Sequence, residues 1–279
     1  MTATPPSAAT LAFDAVAESF DERFGEWRSV AAQRRAVRAA LLRAFPRGST
    51  LLEVGGGTGE DARWLMEQGR EVHVTDASPA MVRVASAKLA AGPRPRVMAA
   101  ERLESWADAR EAAGVPPFDG AFSNFAALNC VSDPRPVGRG LARLVRPGGR
   151  VVLVLFGIMP PGEVVAQLVR RDVRAAFRRR LQGDVPARLG GREFVVRYHR
   201  PASVARAMTP WFRVMARRGI GVFVPPSAAE PWISRHPRLL HILGALDVAA
   251  SRPLALLGDH VLYELARTAT PAPVAVPLS

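Results

Sequence analysis

The chain has 279 residues, 48% of them apolar, and a formal net charge of +13 carried almost entirely by arginine. That length suits one large domain, or one domain with an elaboration, and the apolar share is enough for a full core. The longest apolar run, Val151 to Phe156 continued by Ile158 and Met159, is far below the roughly 20 residues a membrane span needs; no basic-then-apolar leader opens the chain; and a single cysteine, Cys130, excludes an internal disulfide and a cysteine metal cluster.

A cytoplasmic protein is expected. The positive charge falls on no recognised nucleic-acid motif. It is read as compositional, in a chain rich in Ala, Arg, Gly, Pro and Val. Residues 1–9 and 269–279 are expected to be mobile tails. Residues 10–45 read as helical, with Val30, Val37, Leu41, Ala44 and Phe45 at helical spacing and arginines between them.

From 49 to 156 strands and helices alternate. Residues 50–54 read as a buried strand, 59–68 as a helix and 71–76 as a second strand. Ser78-Pro79 sets a capping side chain before a proline at the first helical position, so a helix starts there. Residues 96–100 and 118–123 read as the third and fourth strands. Asp133-Pro134 repeats the helix-start signal, for a helix ending near Leu144. Pro147-Gly148-Gly149 reads as a turn and 150–156 as a fifth strand. This alternation implies a mostly parallel sheet covered on both faces.

Beyond Gly157 the alternation loosens. Residues 163–181 read as one amphipathic helix. Val165, Leu168, Val169, Val173, Phe177 and Leu181 form one face, and Arg170, Arg171, Arg174, Arg178 and Arg179 the other. Residues 194–198 and 212–217 read as strands, 202–208 and 238–250 as helices, and 260–266 as the last strand. Pro225-Pro226 interrupts the chain.

The segment Glu53-Val54-Gly55-Gly56-Gly57-Thr58-Gly59 runs from a strand through a glycine loop into a helix. Glycines let the backbone turn sharply and approach a ligand, and ligands of open parallel sheets bind beyond the strands' carboxyl ends. A phosphate-binding loop would need Gly-Lys-Ser/Thr, which is absent. A dinucleotide fingerprint places Glu60 or Ala62 at its third glycine, which weakens that reading and leaves it open. Asp76 ends the second strand, where a carboxylate can accept from both hydroxyls of an adenosine ribose.

Four stretches resemble the class I S-adenosylmethionine-dependent methyltransferase family: LLEVGGGTGEDARWL from Leu51, VHVTDASPAMVRVASAK from Val72, FDGAFSNFAALNCVSD from Phe118 and LVRPGGRVVLVLF from Leu144. They occur in the family's order. The resemblance implies a doubly wound, seven-stranded α/β fold with S-adenosylmethionine as cofactor. It implies N-terminal helices at 10–45 capping the site, a cofactor-binding core at 46–157, and a remainder at 158–268. Lid insertions would occupy about 158–198 and 222–258.

The family's roles place Glu53, Gly55, Gly56, Gly57, Thr58 and Gly59 at the methionine end of the cofactor. Asp76 falls at the ribose and Ala77 beside the adenine, with Ser78 and Met81 of the same stretch also at the cofactor. Ala100, Glu101 and Leu103 lie along the adenine, and Asn124 and Phe125 near the sulfonium. Where relatives carry two Tyr-Asp pairs, this chain has Phe13-Asp14 and Phe20-Asp21, so Phe20 would cover the cofactor without a hydroxyl. The acid after the third strand is displaced to Glu101. Ser123-Asn124-Phe125-Ala126 differs from the Asn-Pro-Pro-Tyr-like signature of nucleobase amino-methylation.

The later half is expected to choose the acceptor, read as a small, partly apolar metabolite methylated on O, N or C. Phe24, Asn129, Met159, Phe177, Phe223 and Trp232 are candidate substrate contacts. Tyr198 and His199 are candidate acid–base residues. His260 is read as structural, and no metal is implied. An RNA- or protein-modifying enzyme of the same fold, a non-enzymatic binding module and a nicotinamide oxidoreductase are the alternatives.

Overall fold

A computed structural model describes residues 5–25, 27–125, 127–169, 171–180 and 184–271. Three helices open the chain: α1 (Ala8–Asp14), α2 (Phe20–Gly25) and α3 (Arg28–Ala44). Then come β1 (Thr50–Val54), α4 (Glu60–Glu67), β2 (Glu71–Asp76), α5 (Pro79–Lys88), β3 (Arg96–Val97), α6 (Leu103–Ala112), β4 (Phe118–Ser123), α7 (Arg135–Leu144) and β5 (Val145–Phe156). The second half adds α8 (Pro161–Val169), α9 (Val173–Phe177), β6 (Asp184–Leu189), β7 (Arg192–Arg197), α10 (Pro201–Met208), β8 (Phe212–Ile220), α11 (Pro237–Ala250) and β9 (His260–Arg267).

Seven strands form one sheet in the order β3-β2-β1-β4-β5-β9-β8, with β6 and β7 a separate hairpin. The first five strands run parallel, and β9 lies antiparallel between β5 and β8. The expected seven-stranded, mostly parallel sheet is therefore present. Side chains alternate across it. Leu52, Val151, Leu153 and Leu155 pack against α6, α7 and α10 on one face, while Leu51, Val152 and Val154 pack against α3, α4 and α5 on the other. Strands buried on both faces explain the near-continuous apolar runs of β1 and β5.

Several expectations need correction. The third strand stops at Val97: both its residues are exposed, and a 3-10 turn follows at Ala100–Arg102. The fifth strand begins five residues early and takes in Pro147-Gly148-Gly149 as a bulge. Its register with β4 jumps from Phe118↔Val145 to Gly120↔Arg150, and Gly148 takes φ +77°. The N-terminal helical stretch is three helices with a 3-10 turn at Ala17–Ser19.

The single helix expected at 163–181 breaks at Arg171 (φ +59°) into α8, α9 and a 3-10 turn at Arg178–Arg180. The break lets Glu163 and Arg179 both turn inward to one buried ion cluster, which a continuous helix with arginine on its outer face would forbid. Strand β6 was not anticipated; Gly190 and Gly191, both at positive φ, turn it into β7. Among expected features, Ala126, Arg170, Leu181 and the ends of both tails lie outside the described residues.

Candidate functional site

The chain leaves β1 toward β2 on one side and β4 toward β5 on the other, so the carboxyl ends of β1 and β4 border the switch-point crevice. At the end of β1, Gly55, Gly57 and Gly59 take φ of +69°, +55° and +76°. A Cβ on Gly55 would lie 2.4 Å from Ala127 Cβ. One on Gly56 would lie 2.6 Å from Val74 Cγ1 and 2.9 Å from the Glu53 carboxyl. Only glycine fits either position. The Gly55 and Gly56 amides donate to Thr75 O, tying the loop to β2.

Asp76 is aimed by two amides, Gly57 N to Oδ2 and Ser78 N to Oδ1, each at 2.8 Å. Burial pushes its carboxyl above its ordinary value, and the two amides only partly offset this. Ser78 caps α5, accepting from Met81 N at 3.0 Å. Two N-terminal aspartates strap this region. Asp14 accepts from Ser78 Oγ and from Ala80 N (3.0 Å). Asp21 accepts from Thr58 Oγ1 (2.6 Å) and pairs with Lys88.

Beside the loop, Asp61 in the first turn of α4 accepts from Arg38 Nε (2.8 Å) and from Asn124 Nδ2 (2.6 Å). Asn124 Oδ1 in turn accepts from Phe125 N (2.8 Å), and Phe125 is held at φ +43°. The Arg34 guanidinium lies 5.4 Å from the Phe125 ring centroid and 3.8 Å from Asp61. Glu53 is 2% exposed. Its Oε2, and Arg34 Nε, are buried with no hydrogen-bond partner among the described residues. Burial, with Asp61 and Asp76 nearby, pushes the Glu53 carboxyl well above its ordinary range; Arg34 and Arg38 pull the other way. A cavity of about 430 Å³ opens here, bounded by Phe20, Phe24, Arg34, Arg38 and Glu60 among others.

Across the crevice, Phe156 ends β5 opposite His260, which begins β9. Their rings stack at 4.9 Å; His260 also meets Phe125 edge-on at 5.7 Å, and Tyr198 lies 5.7 Å from Phe156. Buried Arg179 covers Phe156 and Tyr198, donates to Asp259 Oδ1 at 2.8 Å and pairs with Glu163. Asp259 Oδ2 stands 3.5 Å from His260 Nδ1. Burial holds His260 below its ordinary value, so the ring is neutral near pH 7, although Asp259 opposes this. Burial alone would raise Asp259, but the Arg179 guanidinium, joined by the His260 ring when that is protonated, holds it low.

Residues 52–151 match the family described as a methyltransferase domain. The chain thus carries a methyltransferase domain over these residues, on the fold of S-adenosylmethionine-dependent methyltransferases. Its fold resembles the CcbJ methyltransferase of Streptomyces caelestis at TM-score 0.57 and 18% identity, covering 95% of this chain and all of that one. It also resembles an S-adenosylmethionine-dependent methyltransferase of Methanosarcina mazei (TM-score 0.54, 17% identity, 82% and 97% covered). A third likeness is to such an enzyme from Mesorhizobium loti (0.50, 19%, 82% and 96%). No curated protein matches the sequence.

Around the crevice the structure gathers Glu53, the glycine loop with Thr58, Asp76 with Ala77 and Ser78, and Asn124 with Phe125. Phe20 and Phe24 border the adjoining cavity. Ala100 and Glu101 fall in the 3-10 turn after β3. Other expected contacts are corrected. Leu103 and Met81 are enclosed in the hydrophobic interior because their helical phase points them at it, so neither presents a side chain to a ligand. Asn129 is fully engaged with backbone: its Nδ2 donates to Arg197 O and its Oδ1 accepts from Phe156 N, which joins β7 to β5.

His199 is buried with Nε2 3.3 Å from Leu128 O, and burial lowers its pKa. Tyr198 does face the ring cluster, and burial raises its pKa. Phe177, Phe223 and Trp232 expose 37%, 41% and 54% of their surface, because α9 is short and the 222–258 insertion packs on α3. Met159 is half-buried just past β5. The expectation missed Arg34, Asp61, Arg179 and Asp259. Asp14 and Asp21 carried a signal, the repeated Phe-Asp pair seven residues apart. Arg34 and Arg179 sit among other arginines with nothing in the sequence to mark them.

Proposed function

We propose that this methyltransferase acts in the cytoplasm on a small, partly apolar metabolite whose acceptor atom carries a proton to be removed. The observation that carries the reading is the ring cluster of Phe125, Phe156, Tyr198 and His260 just past the ends of β4 and β5, with a neutral imidazole in it. Apolar walls with a few convergent polar groups suit a small ligand. The single cysteine is consistent with a reducing compartment.

The residues present fit the cofactor. Its ribose diol needs an acceptor pair, which Asp76 offers. Its amino-acid end needs an anion for the ammonium and a cation for the carboxylate. Glu53 Oε2 and Arg34 Nε are buried without a hydrogen-bond partner among the described residues, a carboxyl and a guanidinium that suit those two ends. When bound, the cofactor supplies a methyl group on a positively charged sulfur that leaves as a neutral thioether. The protein's part is to hold the acceptor in line and exclude water, and alignment alone is worth on the order of 7–11 kcal/mol. Asn124, locked by Asp61, fixes Phe125 beneath the reacting groups. His260 takes the acceptor's proton, with Asp259 stabilising the imidazolium. A positioned base typically contributes about 10²–10⁴-fold.

Two steps test this. Calorimetric titration with S-adenosylhomocysteine, with NADH as control, should show binding of the former alone. Labelled S-adenosylmethionine offered to a panel of phenols, hydroxy acids and amines, beside total RNA and protein, should label small molecules. Labelling confined to RNA or protein would overturn the reading. The +13 charge gives little support to that alternative, because it falls on no recognised nucleic-acid motif.

A further inference from the structure

Glu53 is the least comfortable charge in the cofactor site. It lies one residue before the end of β1, 2% exposed, with its carboxyl folded against the Gly56 backbone. The groups facing it come from every neighbouring element. Asp61 on α4 and Asp76 on β2 are carboxylates. Asn124, just past β4, is neutral and bound to Asp61, and the Thr75 hydroxyl donates to the Glu53 carbonyl, leaving its carboxyl untouched. Arg34 and Arg38 on α3 are the cations, but Arg38 is bound to Asp61 and to Glu60 O, and Arg34 leans on Asp61 and the Phe125 ring. Neither hydrogen-bonds Glu53, whose Oε2 has no partner among the described residues.

A carboxylate buried beside two others, with no cation in contact, is unfavourable as an anion and favourable as an acid. A ligand ammonium against Oε2 reverses that preference. We propose that Glu53 carries a proton before the cofactor binds and exchanges it for the ammonium of the cofactor's amino-acid end, so that binding releases a proton to solvent. This rests on the methyltransferase reading of the site and adds to it a means of selection. A nucleoside fragment without the ammonium leaves Glu53 protonated and gains nothing from it. The balance is simple: the carboxyl O–H bond breaks, its proton goes to buffer, and carboxylate and ammonium remain paired.

The test is calorimetric titration of the full chain with S-adenosylhomocysteine and, separately, with 5′-methylthioadenosine, which lacks the amino-acid end. Each is run between about pH 5 and 8 in pairs of buffers with different ionisation enthalpies. With S-adenosylhomocysteine the wild type should release up to about one proton, and affinity should rise by up to about tenfold per pH unit where release is greatest. Methylthioadenosine should bind with no release, and Glu53→Gln should bind S-adenosylhomocysteine with none. Arginine does not titrate in this range, so Arg34 cannot mimic the signal. Binding without buffer dependence at any pH, equal release with both ligands, or release retained in a folded Glu53→Gln protein would each overturn the proposal. If Glu53→Gln does not fold, the two ligands compared on the wild type decide. Absence of S-adenosylhomocysteine binding altogether would instead overturn the site reading beneath it.

Discussion

The two sides of the crevice are built differently. The side carrying the glycine loop, Asp76 and the cap of α5 is assembled from neighbours in sequence, with backbone amides as the main donors. The side carrying Phe156, Tyr198, Arg179 and His260 is assembled from residues up to about a hundred positions apart, held by buried side-chain charge. The first kind of site survives the loss of any one distant element. The second depends on all of them. Substitutions should therefore separate ligand affinity on one side from stability on the other.

The largest effect is expected from Arg179→Ala. It strands Asp259 without its guanidinium and leaves Glu163 with Arg178 alone, and breaking a buried ion cluster in this way typically costs about 3–5 kcal/mol. Urea unfolding measures this, while S-adenosylhomocysteine affinity of the folded fraction should stay near wild type. A matching fall in affinity would mean the two sides are coupled. Asp76→Ala should do the reverse. Losing a charge-assisted hydrogen-bond acceptor at the ribose costs about 1.5–3 kcal/mol of binding, roughly 10- to 100-fold, with the unfolding midpoint little changed. Unchanged affinity would remove Asp76 from the site.

A smaller effect is carried by pH. His260 is held below its ordinary value in the folded state, so the unfolded chain binds the proton more readily. Its contribution to stability is complete above about pH 6.5 and is lost as pH falls through the depressed folded value, at no more than about 1.4 kcal/mol per unit. In His260→Gln that slope should flatten, and an unaltered slope in denaturation at stepped pH would show that other groups carry it. Trp232→Ser should do least, within about 0.5 kcal/mol, since the ring is half exposed and lies at a tilt against His236. A large loss would reveal the 222–258 insertion as part of the core.

The same contrast explains what the sequence disclosed. Strands β1, β2 and β4, the glycine loop, the Ser78-Pro79 cap and Asp76 were all legible, because each is fixed by residues within a few positions of it. The bulge in β5 was not, since Pro147-Gly148-Gly149 turns as expected but the ladder closes around it. The break at Arg171 was hidden by a sound helical period; what overrode it was the pull of Asp259, some eighty residues on. Asn129 has the composition of a substrate contact, and only the fold shows its amide already taken by two backbones. His260 begins the last strand, and nothing local shows that this end of the strand meets Phe125.

Strand β9 is late in the chain yet internal in the sheet, between β5 and β8. During synthesis the glycine loop emerges some two hundred residues before His260. Until β9 threads into place, β5 has a bare edge of apolar residues and β8 has no partner, which is the kind of exposed surface that invites aggregation. The nascent chain thus has a folding order written into its topology: the parallel strands can pair as they appear, but the sheet, and the acceptor side with it, closes only in one final event.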